Sequence, residues 1–255
     1  MENKLIIPDG GKYVVAVSGG VDSMALLHLI SKNKNTNIIV AHFDHGIRLD
    51  SNEDLQLVKE ISENYGFIFE SEQGNLGSQA SEATARSARY NFLNKVKIKH
   101  GANAIITAHH QDDIIETCFI NILRGTGRRG ITSLTSTAVV FRPLIGISKK
   151  HIIDYAVQNN LKWREDITNN DPKYLRNNLR INILNNFNNE DRARTLKIIE
   201  DTRFLNEKID KEIEILLRQG LHKNQTVLNR SWFSKLPHDI SKEVILAILS
   251  KLQAG

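Results

Sequence analysis

Through its first half the chain alternates short apolar runs with helix-length amphipathic segments. Residues 14–17 form an unbroken apolar run and are predicted as a buried strand, while residues 21–30 repeat apolar positions (Met24, Leu27, Ile30) at helical spacing. The next strand is predicted at 38–41. A helix follows over 51–65, with Leu55, Val58 and Ile61 on its apolar side and Gly66 as its C-terminal cap. Residues 67–69 read as a short strand, 82–100 as a long helix stopped by Gly101, 104–107 as a strand and 112–123 as a helix ending before Gly125. Residues 139–142 add a strand, and Ser148 caps a helix running to 157. Beyond about Asn185 the character changes. Residues 191–219 repeat Leu196, Ile199, Leu205, Ile209, Ile213 and Leu216 as one long helix stopped by Gly220, followed by a strand at 225–228 and a last helix at 241–252.

This order predicts an α/β fold with a mostly parallel sheet covered by helices on both faces, plus a small, mainly helical C-terminal domain. The asparagine-rich stretch 185–189 is the expected boundary, dividing the chain into 1–185 and 186–255. No internal repeat or low-complexity segment is evident.

Composition narrows the classes. The 255 residues contain 40% hydrophobic and 25% charged side chains, ordinary for a soluble globular protein, and no apolar run approaches the roughly 20 residues of a membrane helix. The first residues lack a signal-peptide layout, so a cytoplasmic protein is expected. Cys118, the single cysteine, excludes intramolecular disulfides and cysteine-held clusters within these residues, and its apolar helical neighbours make it a core residue. The net charge of +5 is unevenly placed: residues 120–185 hold 11 Lys+Arg against 4 Asp+Glu, a local +7, and the remainder sums to −2. Such concentration suits a polyanion such as RNA, the alternative being a merely basic surface.

The segment Ser18-Gly19-Gly20-Val21-Asp22-Ser23 lies between a strand and a helix. There, backbone N–H groups around two glycines can approach phosphate oxygens, and the helix N-terminus adds partial positive charge. Ser18 and Ser23 supply hydroxyls, and Asp22 is a candidate to hold Mg²⁺ beside the phosphates. The loop has neither the GK[ST] of a Walker A motif nor GxGxxG spacing, and a bare Gly-Gly would be read as an ordinary turn. The full six residues closely resemble the signature of the N-type ATP pyrophosphatases, or PP-loop enzymes. That resemblance implies an adenine nucleotide alpha hydrolase-like fold and cleavage of ATP to AMP and pyrophosphate.

Four further segments resemble one branch of that family, the tRNA(Ile)-lysidine synthetases. They are Ala41-His42-Phe43-Asp44-His45-Gly46-Ile47-Arg48; Glu82-Ala83-Thr84-Ala85-Arg86 with Arg89-Tyr90; Thr107-Ala108-His109-His110-Gln111-Asp112-Asp113 with Glu116-Thr117, running into Leu123-Arg124-Gly125-Thr126-Gly127; and Trp163-Arg164-Glu165-Asp166 with Thr168-Asn169, Tyr174 and Arg176-Asn177-Asn178-Leu179-Arg180. The resemblance implies that ATP adenylates the wobble cytidine of the isoleucine tRNA with a CAU anticodon, and that free L-lysine then displaces AMP. It places Ala41 and His42 with the ATP-binding loop.

The remaining assignments follow from what that reaction demands. Pyrophosphate departure calls for Mg²⁺ and a cation, for which Arg124 is the candidate, the alternative being a solvated helix-end arginine. Asp44, at the C-terminal end of a strand, is assigned to Mg²⁺ or general-base chemistry, with His45 secondary for proton handling. Lysine arrives protonated, and Asp112, Asp113 and Glu116 offer carboxylates for its ammonium; helix-dipole pairing is their alternative. Arg86, Arg89, Arg128, Arg129, Arg176 and Arg180 are expected on the tRNA side, with Arg142, Lys149 and Lys150. Trp163 and Tyr174 are candidates for base stacking, with core packing preferred. His109 and His110 with Asp112 and Asp113 lack the spacing of a zinc site.

Thiolating relatives are disfavoured by the single cysteine, and GMP synthetase or asparagine synthetase types by the basic central region. A non-catalytic nucleotide-binding module would leave the carboxylates and Arg124 unexplained. Some lysidine synthetases carry a longer C-terminal region that grips tRNA. Residues 186–255 hold 12 Lys+Arg against 10 Asp+Glu, too balanced for an RNA clamp alone, so helix packing or homodimerisation is an equal expectation for them.

Overall fold

The parallel sheet is built around the apolar run that opens the sequence pattern. A computed structural model of the chain describes residues 10–33, 35–46, 51–74, 77, 81–165, 173, 175–221 and 227–253. Ile47, Arg48, Asp166, Thr168, Asn169, Tyr174 and residues 225 and 226 of the strand expected at 225–228 lie outside the described residues. Strands β1 (Lys12–Ala16), β2 (Asn37–Asp44), β3 (Ile68–Gln73), β4 (Ala104–Ile106) and β5 (Val140–Phe141) form one sheet in the order β3-β2-β1-β4-β5. Every pairing is parallel, with Val14 in register with Ile39 on one side and Ile105 on the other.

The period of two along each strand divides the core between the faces. Val15, Val17, Val40 and Ile106 pack against α1 (Val21–Ser31), Val58 of α2 (Ser51–Asn64) and Ile152 and Tyr155 of α6 (Lys149–Gln158). Val14, Ile39, Ala41 and Ile105 face Phe92, Leu93 and Val96 of α3 (Glu82–His100). Burial on both faces is why β1 reads as a continuous apolar run. The chain winds outward from β1 to β2 and β3, then crosses back to β4 and β5. The C-terminal ends of β1 and β4 therefore flank a topological switch point, where open α/β sheets bind ligands.

Several expected ends are confirmed by their chemistry. Ser81 caps α3 by accepting from the Thr84 amide at 3.1 Å, and Gly101 closes it with φ +61°. Ser148 caps α6 as expected. Gly220 acts differently: it lies inside α8 (Asn189–Gly220) and is not left-handed. A side chain there would put Cβ 2.2 Å from the Trp232 ring, so glycine is required by close packing. The pattern also missed three α-helices, α5 (Arg128–Ile131) inside the glycine-rich segment, α7 (Leu175–Asn182) and α9 (Arg230–Phe233).

Around the expected boundary, Ile115, Ile120, Leu179 and Leu184 form a cluster joined by Phe187 and Leu196, bringing together α4 (Gln111–Leu123), α7 and α8. The end of α8 packs through Ile213 and Leu217 on Val244 of α10 (His238–Gln253), with Trp232 of α9 (Arg230–Phe233) alongside. No described helix is long and apolar enough to cross a membrane.

Candidate active site

The turn between β1 and α1 is held by its own hydroxyls. Ser23 Oγ donates to the Gly20 carbonyl at 2.9 Å and accepts from the Ser18 amide at 3.2 Å. Gly19 has φ +92°, a conformation that strains any residue with a Cβ, and its carbonyl accepts from the Arg164 amide at 3.0 Å. Gly20 caps α1 without a side-chain hydrogen bond, so the first turn presents backbone N–H groups and the positive end of the helix dipole.

A cavity of about 490 Å³ opens beside this turn at the switch point. Ser18, Asp22 and Ser23 line it from the turn, Ala41, His42 and Asp44 from β2, Arg89 from α3, His109 and Asp113 from the start of α4, and Arg176 from α7. Nine of the sequence-derived site residues thus meet in one space with His109.

Burial pushes the His42 pKa down, and its Nδ1 lies 2.9 Å from the Val17 carbonyl, consistent with a neutral ring donating there. The His109 pKa is lowered to about 3, first by burial and then by Arg142, Arg89 and Arg86, against the opposing pull of Asp113. Burial would raise the Asp113 pKa, but His110, His109, the His110 amide and Arg176 together hold it below the usual carboxylate value. The Asp113 carboxylate accepts from the His110 amide at 2.9 Å, capping α4, and lies 3.9 Å from Arg176. Asp44 is 8% exposed and has both oxygens engaged, by the Gly46 amide (2.8 Å), Ser51 Oγ (2.9 Å) and Gln73 Nε2 (3.2 Å). His45 lines the cavity with its ring edge-on to Phe43.

Other expected members lie elsewhere. Asp112 points to Arg192 of α8 at 3.1 Å. Glu116 is 1% exposed and takes two hydrogen bonds from Arg180, at 2.8 and 3.0 Å, so these two, expected on lysine and on tRNA, hold each other. Arg128 and Arg129, expected to face RNA, are joined to Asp210 of α8 at 2.6 and 2.7 Å, and Arg128 also to Glu243 of α10 at 2.8 Å. Arg124 is exposed at the C-cap of α4 and does not line the cavity. Arg86 is exposed with its guanidinium 4.8 Å from the Tyr90 ring centre. Trp163 packs against the core, and Cys118 is buried, which raises its thiol pKa.

Two residues at the site were given no role from sequence, and a third was given a different one. Asp54 lines the cavity beneath Gly19 and pairs with Arg164 at 2.8 Å, and Glu82 lines its mouth 3.6 Å from Arg176. Lys149, grouped with the RNA-facing cations, instead grips Asp22 with distances of 2.6 and 2.7 Å to its two oxygens. A signal for it existed: α6 opens with Lys149, Lys150 and His151 and no acid, where the helix dipole disfavours cations.

Residues 3–187 match the PP-loop domain family. The chain belongs to the PP-loop family. As a PP-loop protein it is similar to curated relatives named tRNA(Ile)-lysidine synthase. One, from Clostridium tetani, is 35% identical over 72% of this chain and 43% of the relative. Another, from Bacillus cereus, is 31% identical over 92% of this chain and 58% of the relative. A third, from Thermus thermophilus, is 41% identical over 66% of this chain and 34% of the relative. The chain therefore spans between about a third and three fifths of the length of these relatives. Among solved structures, a U34-tRNA thiolase from Methanococcus maripaludis with its 4Fe–4S cluster superposes with a TM-score of 0.64 at 17% identity, over 81% of this chain and 77% of that one. That likeness is one of fold. In this PP-loop protein the glycine turn, the end of β2 and the start of α4 meet at one end of the sheet.

Proposed function

We propose that this chain carries the catalytic domain of a tRNA(Ile)-lysidine synthetase, which ligates L-lysine to the wobble cytidine of the CAU-anticodon isoleucine tRNA with ATP as the activating substrate. The observation that carries this reading is one cavity holding both the phosphate-type turn and, facing it, Asp113 with Arg89 and Arg176. A simple nucleotide-binding module has no use for that second set.

In this reading the C2 carbonyl oxygen of cytidine attacks the α-phosphorus of ATP, forming the adenylated base as the bond to the β-phosphate bridging oxygen breaks and pyrophosphate leaves. The lysine ammonium gives up a proton to water, the resulting amino group attacks C2, the C2–O bond breaks, AMP departs and the nitrogen releases a second proton to water. Ser18 to Ser23, through backbone N–H groups and hydroxyls, hold the triphosphate, with Ala41 and His42 beside the nucleotide. Asp113, kept ionised well below neutral pH, pairs with the lysine ammonium. Arg89 and Arg176 meet the anticodon phosphates, with Arg86 and Arg124 as exposed contacts further out.

The family's chemistry implies Mg²⁺. Asp22 fits it: a hard oxygen ligand lining the cavity, already facing a cation, the Lys149 ammonium. Asp22 would hold the ion, which supplies charge neutralisation for the departing pyrophosphate. Asp44, with both oxygens engaged, serves better to fix the end of β2 than to take up a proton or metal. Residues 186–255 act on the site through Asp112–Arg192 and the Arg128–Asp210 contact, and the division at 185 and 186 marks where chemistry gives way to that support. A tRNA-modifying role with lysine and ATP places the protein in the cytoplasm.

Transfer of radiolabelled lysine to CAU-anticodon isoleucine tRNA tests the reading. Transfer that needs ATP and a wobble cytidine supports it. No transfer, or equal transfer to a tRNA with another wobble base, overturns it.

A further inference from the structure

We propose that Lys149 is a triphosphate-binding residue of the ATP site, held on Asp22 until the nucleotide enters. The inference rests on the reading of the Ser18–Ser23 turn as that site.

Lys149 and Asp22 are 127 residues apart, yet the ammonium sits nearly equidistant from both carboxylate oxygens, at 2.6 and 2.7 Å. The side chains are 33% and 28% exposed, so the pair is partly open to solvent, and its Asp22 member lines the cavity. Its placement is fixed from both ends. Ile152 and Tyr155, further along α6, are buried in the core shared with α1, and the Tyr155 hydroxyl lies 3.0 Å from His28 Nδ1. Immediately before α6, the Ile147 carbonyl accepts from the Gln111 amide at 2.9 Å, which ties this segment to the start of α4. Lys149 is thereby held against Asp22 in the first turn of α1, whose leading N–H groups have no partner within the helix.

Charge explains why a lysine belongs there. A triphosphate approaching the turn meets the Asp22 carboxylate, and a fixed anion beside it opposes binding unless a cation intervenes. In the free protein that cation is Lys149. Its ammonium sits on a flexible four-carbon stem, so it can leave the carboxylate for a phosphate oxygen without moving α6. Lys150 makes the contrast: it is 84% exposed and pairs with Asp154 one turn along its own helix, an ordinary surface ion pair.

The test is calorimetric binding of α,β-methylene-ATP, which cannot be cleaved between its α- and β-phosphorus atoms, and of AMP, to the wild type, Lys149→Met and Lys149→Arg, with thermal melting of each. Loss of one charge-assisted contact predicts that Lys149→Met weakens the triphosphate analogue by about tenfold or more and leaves AMP within about twofold, while Lys149→Arg largely keeps both. Electron paramagnetic titration with Mn²⁺ gives a second readout without nucleotide. Lys149→Met is expected to bind the ion more tightly than the wild type, because the competing ammonium is gone. Equal weakening of analogue and AMP, or no weakening of the analogue, overturns the proposal. A wild type that binds AMP and the analogue equally also overturns it. A wild type that binds neither nucleotide overturns the ATP-site reading itself.

Discussion

Replacing Glu116 decides whether that carboxylate serves the substrate or the fold. Glu116 is 1% exposed and its two oxygens receive Arg180 at 2.8 and 3.0 Å, while the Arg180 side chain is 39% exposed. Breaking a fully buried pair costs about 3–5 kcal/mol and a surface pair at most about 1. Glu116→Ala leaves an arginine that can turn toward water, so the expected loss falls between these limits, at about 2–3 kcal/mol. Arg180→Met leaves the buried acid behind, and burial already raises the Glu116 pKa against the opposing effect of Arg180. Without the arginine that pKa rises further. The folded state then keeps its proton to higher pH than the unfolded chain, whose carboxyl titrates near 4.5, so the stability of Arg180→Met falls as pH rises above that value. Urea denaturation of both single variants and the double variant, at pH 5 and pH 8, measures all three terms. A coupling energy of about 1–3 kcal/mol is expected. If Glu116→Ala is as stable as the wild type but raises the KM for lysine, the carboxylate faces substrate and the structural reasoning is refuted.

Three shorter predictions follow from the same geometry. Gly19→Ala places a Cβ at φ +92° and 3.4 Å from Asp54 Cβ; the expected cost is about 1–3 kcal/mol in denaturation, with weakened nucleotide binding, and unchanged stability would contradict the strain argument. Asn206, 6% exposed, donates to the Arg128 carbonyl and Thr132 Oγ1 and accepts from Arg128 at 3.1 Å each; Asn206→Ala should cost about 2–3 kcal/mol and increase amide exchange in α5, and unaltered exchange there would refute the clamp. His109 titrates near 6.5 in the unfolded chain and at about 3 in the folded one. The unfolded state binds the proton first, so this contribution is complete above pH 6.5 and is lost as pH falls toward 3. His109→Asn is expected to flatten the fall in stability across that window, and an unchanged pH profile would show that the imidazole is not held neutral.

The sheet was legible because its signal is local. β1, β2 and β4 are buried on both faces and read as short apolar runs, and Gly101 and Ser148 mark helix ends by chemistry confined to a few residues. The turn at Ser18–Ser23 was legible for the same reason. What failed depends on distant partners. On α4, Asp112, Asp113 and Glu116 look alike, yet one meets α8, one the cavity and one Arg180 on α7, a helix of only eight residues rich in arginine and asparagine. Arg128 and Arg129 read as RNA contacts because their acids lie some 80 or more residues further along, in α8 and α10. Lys149 was assigned to RNA for want of the fold that sets α6 against α1.

The most direct test of the central claim is release of AMP from ATP by this chain, measured with lysine and with the CAU-anticodon isoleucine tRNA each omitted in turn. The account predicts AMP and pyrophosphate in equal amounts when all components are present, little AMP without the tRNA, and no sustained turnover without lysine. AMP formed equally well without that tRNA, or sustained equally by any other amino acid, would contradict it.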